Sequence, residues 1–559
     1  MLDAFKKLPV RKVIRNTRFY YMLLQRLKDH RTMSDGVTWS AQAEFLSRLA
    51  DWDSTDDVLW HLQEAERLAL VNLNVPHFVA PSDQDLIAAV TGHSTQTGGK
   101  PGLEQSAERW ANWCEAELER QVEIIQVSTS FVLKSESNKE EKYLFKRTLK
   151  QPAKVQSQAC LAKELSRITQ SIRQFATIKE QSAAWVGLDW LGDSDVAQLV
   201  TVGSDLYNGS SGIALYLAAY ARYAEDSMSR ELALKALALT RRQVTQPSAA
   251  RWARSMGVGG ASGLGSLVYA LTVISDLLED STLLDDALSV AQLFSDELIA
   301  ADRSLDVIGG SAGGILGLLA LHRRTQSSDV LAKAIACGQH LLDQPRLGEI
   351  GKRSWVGMGM DQAILTGFSH GAAGFAYALS RLAVASGRDD FAQAAQECLA
   401  YEDSCYNEHL LNWPDLRSSE DGTVWPSQWC HGAVGIGLAR IASNSSATVE
   451  SESMMDDIRN SVKNATTKWP QHIDTLCCGT LGTIELLGEA SKLFNQPDLR
   501  ELSDQRLAQI IASREEKGDY AWNAGGTSVN LGMFRGLSGV GYTILRRVDP
   551  SLPNILIWE

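Results

Sequence analysis

The sequence predicts an all-α protein whose larger part is an α/α toroid of seven helix pairs, preceded by a mostly helical region that lacks the repeat. Three observations predict it. A G-x-x-G step followed by a small or apolar run recurs seven times, amphipathic stretches of helical period lie between the recurrences, and roughly the first 150 residues do not carry the repeat. Self-similarity at such a period marks stacked supersecondary units, none of which can bury its apolar face alone.

The elements follow in chain order. At 559 residues the chain is too long for one ordinary core, so two domains are expected, 1–155 and 156–559. Residues 1–155 read as interrupted helices ending in the polar, charged stretch SESNKEEKYLFKRTLKQPAKVQSQ, a linker or exposed excursion. CLAKELSRITQSIRQFAT (160–177) supplies an amphipathic helix before the first repeat head. The heads are NGSSGIALYLAAYA, GGASGLGSLVYAL, GGSAGGILGLLAL, HGAAGFAYALSRLA, HGAVGIGLARIA, CGTLGTIELLGEA and RGLSGVGYTILRRV. Their first glycines, Gly209, Gly260, Gly310, Gly371, Gly432, Gly479 and Gly536, lie roughly 47 to 61 residues apart. Between them run amphipathic helices such as SRELALKALALTRRQV and LLDDALSVAQLFSDELIAAD. An all-apolar helix must be buried on every side, whereas its amphipathic partner can face water. Seven such pairs close into a ring, apolar helices inside. Glycines at the inner helix starts let backbones approach and direct N–H groups toward the ring's mouth, where the heads converge.

Composition narrows the function. Hydrophobic residues make up 44% and charged residues 22%, the balance of a globular protein. A net charge of −13 argues against a nucleic-acid partner, which needs a basic footprint. No signal-peptide pattern follows the early lysines, so a cytoplasmic location is expected. MGVGGASGLGSLVYALTVIS (256–275) is uncharged and long enough for a membrane span. Its Gly and Ser content and its recurrence in weaker form favour a buried repeat helix, and no transmembrane segment is expected. The eight cysteines are spread through the chain without the look of a disulfide framework.

Three heads carry metal-ligand chemistry: His370 before Gly371, Cys430-His431 before Gly432, and Cys477-Cys478 before Gly479. Three thiolates with an open fourth position make a catalytic zinc site, and Cys430, Cys477 and Cys478 form such a set on adjacent repeats. An adjacent-cysteine redox pair is the alternative. The other cysteines read as small core residues. His370 is the candidate for proton transfer; His431 is either a structural histidine or a participant. Asp205, four residues before Gly209, is either a helix cap or a carboxylate that orients a catalytic group.

Taken together and in order, LYNGSSGIALYLAA, SHGAAGFAYAL, WCHGAVGIG, CCGTLG and RGLSGVGY resemble the cyclase domain of lanthipeptide synthetases, the LanC-like fold, over residues 160–559. The resemblance implies one Zn²⁺ that binds a cysteine of a precursor peptide, whose sulfur adds to dehydroalanine or dehydrobutyrine of that peptide and closes a thioether ring. It implies Cys430 and Cys477 as ligands. The third family ligand is commonly histidine in C-H-G; Cys478 in that place resembles the three-cysteine subset of the class II (LanM-type) enzymes. The family's aspartate and histidine near the metal map onto Asp205 and His370, with His370 the acid that protonates the enolate carbon and Asp205 its electrostatic partner.

VRKVIRNTRFYYMLL, SDG at 34–36 and LNVPHF at 73–78 are similar to the C-terminal part of the class II dehydratase domain, which has a lipid-kinase-like fold. Arg11 and Thr17 match the spacing of an arginine and a threonine used there in elimination of phosphate. A basic amphipathic helix lying on its own domain is the plain alternative. No P-loop or kinase-type glycine loop is present. The expectation is therefore a truncated or split synthetase that cyclises dehydrated peptide. It needs a separate dehydratase fragment, with ATP and Mg²⁺, for dehydration. Two other functions stay open: a zinc thiol-alkylating enzyme resembling protein prenyltransferase β subunits, disfavoured by Cys-Cys-Gly, and a non-catalytic thiol- or peptide-binding scaffold such as the eukaryotic LanC-like proteins suggest.

Overall fold

The computed structural model describes residues 2–43, 62–129, Leu149 and 157–559, apart from short stretches at 191–196, 358–363, 418–422 and 445–451 and scattered single positions. The chain divides into two compact units, Met1–Gln121 and Val122–Glu559. The boundary expected near 155 and most of the charged stretch before it lie outside the described residues.

In the first unit, helix Thr17–Lys28 places Tyr20, Leu23, Leu24 and Leu27 on one face, the i, i+3, i+4, i+7 spacing of a helical stripe, and buries them with Leu70 of helix Gln63–Val71. Glu66 is buried beside this core and accepts from Arg15 Nε at 3.0 Å and from the Tyr20 hydroxyl. A four-stranded antiparallel sheet, Pro9–Lys12, Phe78–Pro81, Ile87–Ala89 and Ser94–Thr95 in that order, accompanies the helices. Sequence reading missed it because strands of two to four residues are too short to display a period of two.

In the second unit the seven inner helices are Ser210–Ala224, Leu264–Leu278, Ser311–Thr325, Ala372–Ser386, Ala433–Asn444, Thr480–Phe494 and Leu537–Val548. Each packs on the next and the seventh packs on the first, closing the ring. Leu264–Leu278, which contains most of the uncharged stretch, is buried at every position but Asp276. Among the described residues no helix is long and apolar enough to cross a membrane.

The outer helices follow their inner partners through tight turns: Glu225, Glu279, Gln326, Gly387 and Asn495 each end an inner helix in the left-handed region. Asp226, Asp280 and Ser327 then cap the outer helices Ser227–Thr245, Ser281–Gln292 and Ser328–Asp343 with their side chains. The hairpin unit therefore runs inner helix to outer helix. Gln158–Gln174, expected to pair with the first head, lies chiefly against the last inner helix and serves as the seventh outer helix.

Closure is visible in the backbone of the heads. Tyr207 N–H donates to Ala261 O at 3.0 Å, Gly260 to Val307 at 3.0 Å, Val307 to Ser369 at 3.2 Å and Ser369 to Cys430 at 3.2 Å. Trp429 then donates to Cys477 at 3.0 Å, Cys477 to Phe534 at 3.1 Å, and Phe534 back to Tyr207 at 2.8 Å. Each of the seven heads thus holds its neighbour. In six of the heads the glycine three residues past the head glycine lets the start of the inner helix pack against its own loop. A Cβ on Gly212, Gly313, Gly374, Gly435, Gly482 or Gly539 would stand 1.9 to 2.8 Å from the carbonyl oxygen six residues earlier. The second head corrects the sequence register: its helix is capped by Gly263 rather than Gly260, and Ser266 stands where the others have glycine.

The segment after the last inner helix packs into the core of the second unit, burying Leu552, Ile555, Leu556, Ile557 and Trp558. Trp558 is buried with its ring centroid 6.2 to 6.5 Å from those of Tyr269, Phe368, Trp429 and Phe534, and its indole N–H donates to Gly260 O at 3.1 Å.

Candidate metal centre and active site

The head loops place side chains by where they stand relative to the helix start. Cys430 and Cys477 lie two residues before their head glycines; Cys478, His370, His431 and Arg535 lie one before. Because Cys430 and Cys477 are themselves links in the backbone ring, their positions are fixed by it. The heads of Cys430 and His370 are pinned from outside as well. Asn412 Oδ1 accepts from Ala433 N–H at 2.9 Å, and Glu402 Oε1 accepts from Gly367 and Ala373 N–H at 2.9 and 3.2 Å. Asp302 likewise accepts from Ser311 N–H at 2.8 Å. These N–H groups, expected to face the mouth, are thus taken up by distant side chains. Gly432 adopts φ +87°, and a Cβ there would collide with Pro426 O, so the turn presenting Cys430-His431 requires glycine.

The three cysteines converge. Cys430 Sγ stands 3.4 Å from Cys478 Sγ, which is 3.3 Å from Cys477 Sγ. All three sulfurs lie within 4.8 Å of one another, and the three residues carry no disulfide. Cys430 and Cys477 are buried and Cys478 is half-buried. Sulfurs bonded to one zinc at ~2.3 Å in a tetrahedron stand roughly 3.8 Å apart, so the donor set fits that metal with little adjustment. Within the cluster Cys478 is the thiol held well below its ordinary value, by hydrogen bonds from Cys430 and then Cys477, with Arg535 assisting. Burial pushes Cys477 up.

His370 occupies the neighbouring head, and its Nδ1 is 2.7 Å from Asp306 Oδ2, a carboxylate whose side chain is 1% exposed. The carboxylate on His370 is therefore Asp306. Asp205 accepts from the backbone N–H groups of Asn208 and Gly209 at 3.0 and 3.2 Å and braces the loop of the first head. Burial raises its pKa. Asp306 stands four residues before Gly310, as Asp205 stands four before Gly209. The motif slot was legible twice, and ring adjacency decides that the third head, not the first, faces the fourth. His431 is 2% exposed, its ring centroid lies 5.9 Å from that of His370, and its Nδ1 has no hydrogen-bond partner among the described residues. Burial, aided by Arg417, lowers its pKa to about 4, so it is a neutral imidazole at pH 7.

Two residues that sequence reading passed over also reach the cluster. The Tyr207 hydroxyl donates to Cys477 Sγ at 3.0 Å, and Arg535 Nε donates to the Tyr207 oxygen at 3.1 Å. Arg535 fills the slot of His370 and Cys478, which is the signal that was available. Arg11 lies in strand Pro9–Lys12 and Thr17 begins helix Thr17–Lys28, both exposed and both in the first unit.

An α/α toroid with a three-thiol cluster and a histidine–carboxylate pair on adjacent heads defines a narrow class. The model of the family "Lanthionine synthetase C-like protein" matches residues 201–557, and the chain belongs to that family. Residues 1–81 match the model "Domain of unknown function (DUF4135)". The lacticin 481/lactococcin biosynthesis protein LcnDR2 of Lactococcus lactis subsp. lactis is 22% identical over 96% of this chain and 55% of its own length. The chain thus spans about half the length of that relative. Nisin cyclase shares the fold, with a TM-score of 0.50 at 14% identity, over 71% of this chain and 96% of its own.

Proposed function

We propose that the chain is the cyclase of a class II (LanM-type) lanthipeptide synthetase. It joins cysteine thiols of a ribosomally made precursor peptide to dehydroalanine or dehydrobutyrine of the same peptide. The observation that carries the reading is the convergence of Cys430, Cys477 and Cys478 one head away from the His370–Asp306 pair. The three cysteines would hold zinc, which when bound lowers the pKa of a substrate thiol and so supplies a nucleophile at neutral pH. The new bond forms between that sulfur and the alkene β-carbon, and the π electrons move toward the neighbouring carbonyl as an enolate. His370, oriented through Nδ1 by Asp306, holds a proton at Nε2 for the α-carbon. His431, neutral and buried, walls the site on the side of Cys430. A site of free thiols suits a reducing compartment such as the cytoplasm.

Metal analysis together with mass spectrometry of a dehydrated precursor tests this. One zinc per chain and a loss of alkylatable peptide thiols are expected, and Cys478→Ala should abolish both. Zinc and thiol binding without ring closure would replace the reading with a scaffold, and alkylation by a prenyl diphosphate with a prenyltransferase-like enzyme. In the first unit, Arg11 and Thr17 are proposed for phosphate elimination. Supplied with a phosphorylated precursor together with a separate dehydratase fragment, the wild-type chain should support phosphate release and Arg11→Ala should not.

A further inference from the structure

We infer that Tyr207 and Arg535 form a positioning pair that tunes Cys477 as a metal ligand, the Tyr207 hydroxyl donating to its sulfur and Arg535 countering the negative charge behind it. The inference rests on the zinc-cyclase reading above. Three thiolates around one dication leave a net negative charge before any substrate sulfur arrives, and a fourth thiolate deepens it. Such a site needs compensation from its surroundings, and outer groups that hydrogen-bond to ligands set both their orientation and their donor strength. Here the chain of donors is continuous: Arg535 Nε to Tyr207 Oη at 3.1 Å, and Tyr207 Oη to Cys477 Sγ at 3.0 Å.

Geometry leaves the pair little freedom. The Tyr207 ring is stacked on Phe534 at 5.0 Å with 20° between the planes, and the Arg535 guanidinium lies 5.7 Å from the Tyr207 ring centroid. The backbone does the rest, since Phe534 N–H donates to Tyr207 O and Cys477 N–H donates to Phe534 O. First, sixth and seventh heads are thereby locked together at the seam where the ring closes. The residues lie 270 and 328 positions apart in the pairs they form, Tyr207 with Cys477 and with Arg535. The arrangement therefore exists only in the closed toroid, and a chain whose seam opened would lose the donor to Cys477.

The test uses the full chain, with zinc alone and with cobalt(II) as its spectroscopic substitute. Tyr207→Phe keeps the stacked ring and removes only the hydroxyl. It should weaken zinc retention against a chelator by about 10-fold to 100-fold and move the sulfur-to-cobalt charge-transfer band to lower energy, because a thiolate relieved of a hydrogen bond gives up its electrons more readily. Arg535→Lys, which keeps the charge, should fall between wild type and Tyr207→Phe, and it reads the same band if Tyr207→Phe does not fold. Zinc affinity within twofold of wild type with an unmoved band overturns the inference. Weaker affinity with an unmoved band, the mark of a merely loosened head, overturns it as well. A wild-type chain that takes up no zinc at all would instead sink the cyclase reading itself, so the two failures are separable.

Discussion

His370 Nδ1 is 2.7 Å from Asp306 Oδ2, and the two residues come from adjacent heads 64 positions apart. Each head supplies half of the pair, so neither head alone contains the acid. Asp306→Asn should leave zinc content unchanged and lower kcat on a dehydrated peptide by about 10²-fold to 10⁴-fold, the usual worth of positioned acid–base catalysis. Asp205→Ala, which removes the acceptor of two loop N–H groups, should instead cost about 1–3 kcal/mol of stability with the pH–rate profile intact. Equal effects of the two substitutions on kcat would contradict this division of labour.

His431 gives the metal-free fold a pH dependence of known sign. Its folded pKa is about 4 against an ordinary 6.5, with burial the main cause and Arg417 next. Between these values the unfolded chain binds a proton that the folded chain refuses, so stability rises with pH across the window. The contribution is complete above pH ~6.5 and falls away as pH drops toward ~4, by about 3 kcal/mol in all. Urea midpoints measured from pH 4 to 7 with chelator present should therefore change less steeply in His431→Gln. Identical slopes would show that the histidine is not buried as described.

Gly435→Ala tests the close approach at the heads. Its Cβ would stand 1.9 Å from Trp429 O and 2.9 Å from Phe368 Cβ. Backbone must move, and the cost should reach or exceed the roughly 1–3 kcal/mol of ordinary overpacking. Gly488→Ala is the control, since its Cβ meets only the guanidinium end of Arg547, at 2.8 Å. Melting temperatures that fall equally in the two variants would argue against the head as the tight point.

Glu402 and Arg440 are paired at 3.1 Å with side chains 0% and 3% exposed. Arg440→Leu strands a buried carboxylate that also holds the head of His370, and should cost about 3–5 kcal/mol. Adding Glu402→Gln, which keeps an acceptor for Gly367 and Ala373, should recover part of that loss. A double variant no more stable than Arg440→Leu would show that the charge was not the problem.

Much of this was legible in the chain. The inner helices announce themselves by apolar runs after glycine, the outer ones by amphipathic period, and the cysteines by sharing a slot before their glycines. What misled was local similarity. Gly260 and Gly263 form one G-x-x-G step with each other, and only the backbone shows that the second of them, not the first, begins the helix. Asp205 and Asp306 both stand four before a head glycine, and only ring order tells which one meets a histidine. Tyr207 and Arg535 stand inside the head motifs, but nothing local shows that they meet Cys477.

The sequence by itself determined the inner and outer helices, the toroid they close into, the three sulfurs and the histidine, because periodicity and residue type are properties of short segments. The tertiary structure decided who stands beside whom: Asp306 with His370, Tyr207 with Cys477, and the last helix with the first. Those pairings follow from closure of the ring, which brings together residues hundreds of positions apart, and no local pattern encodes the order in which distant heads become neighbours.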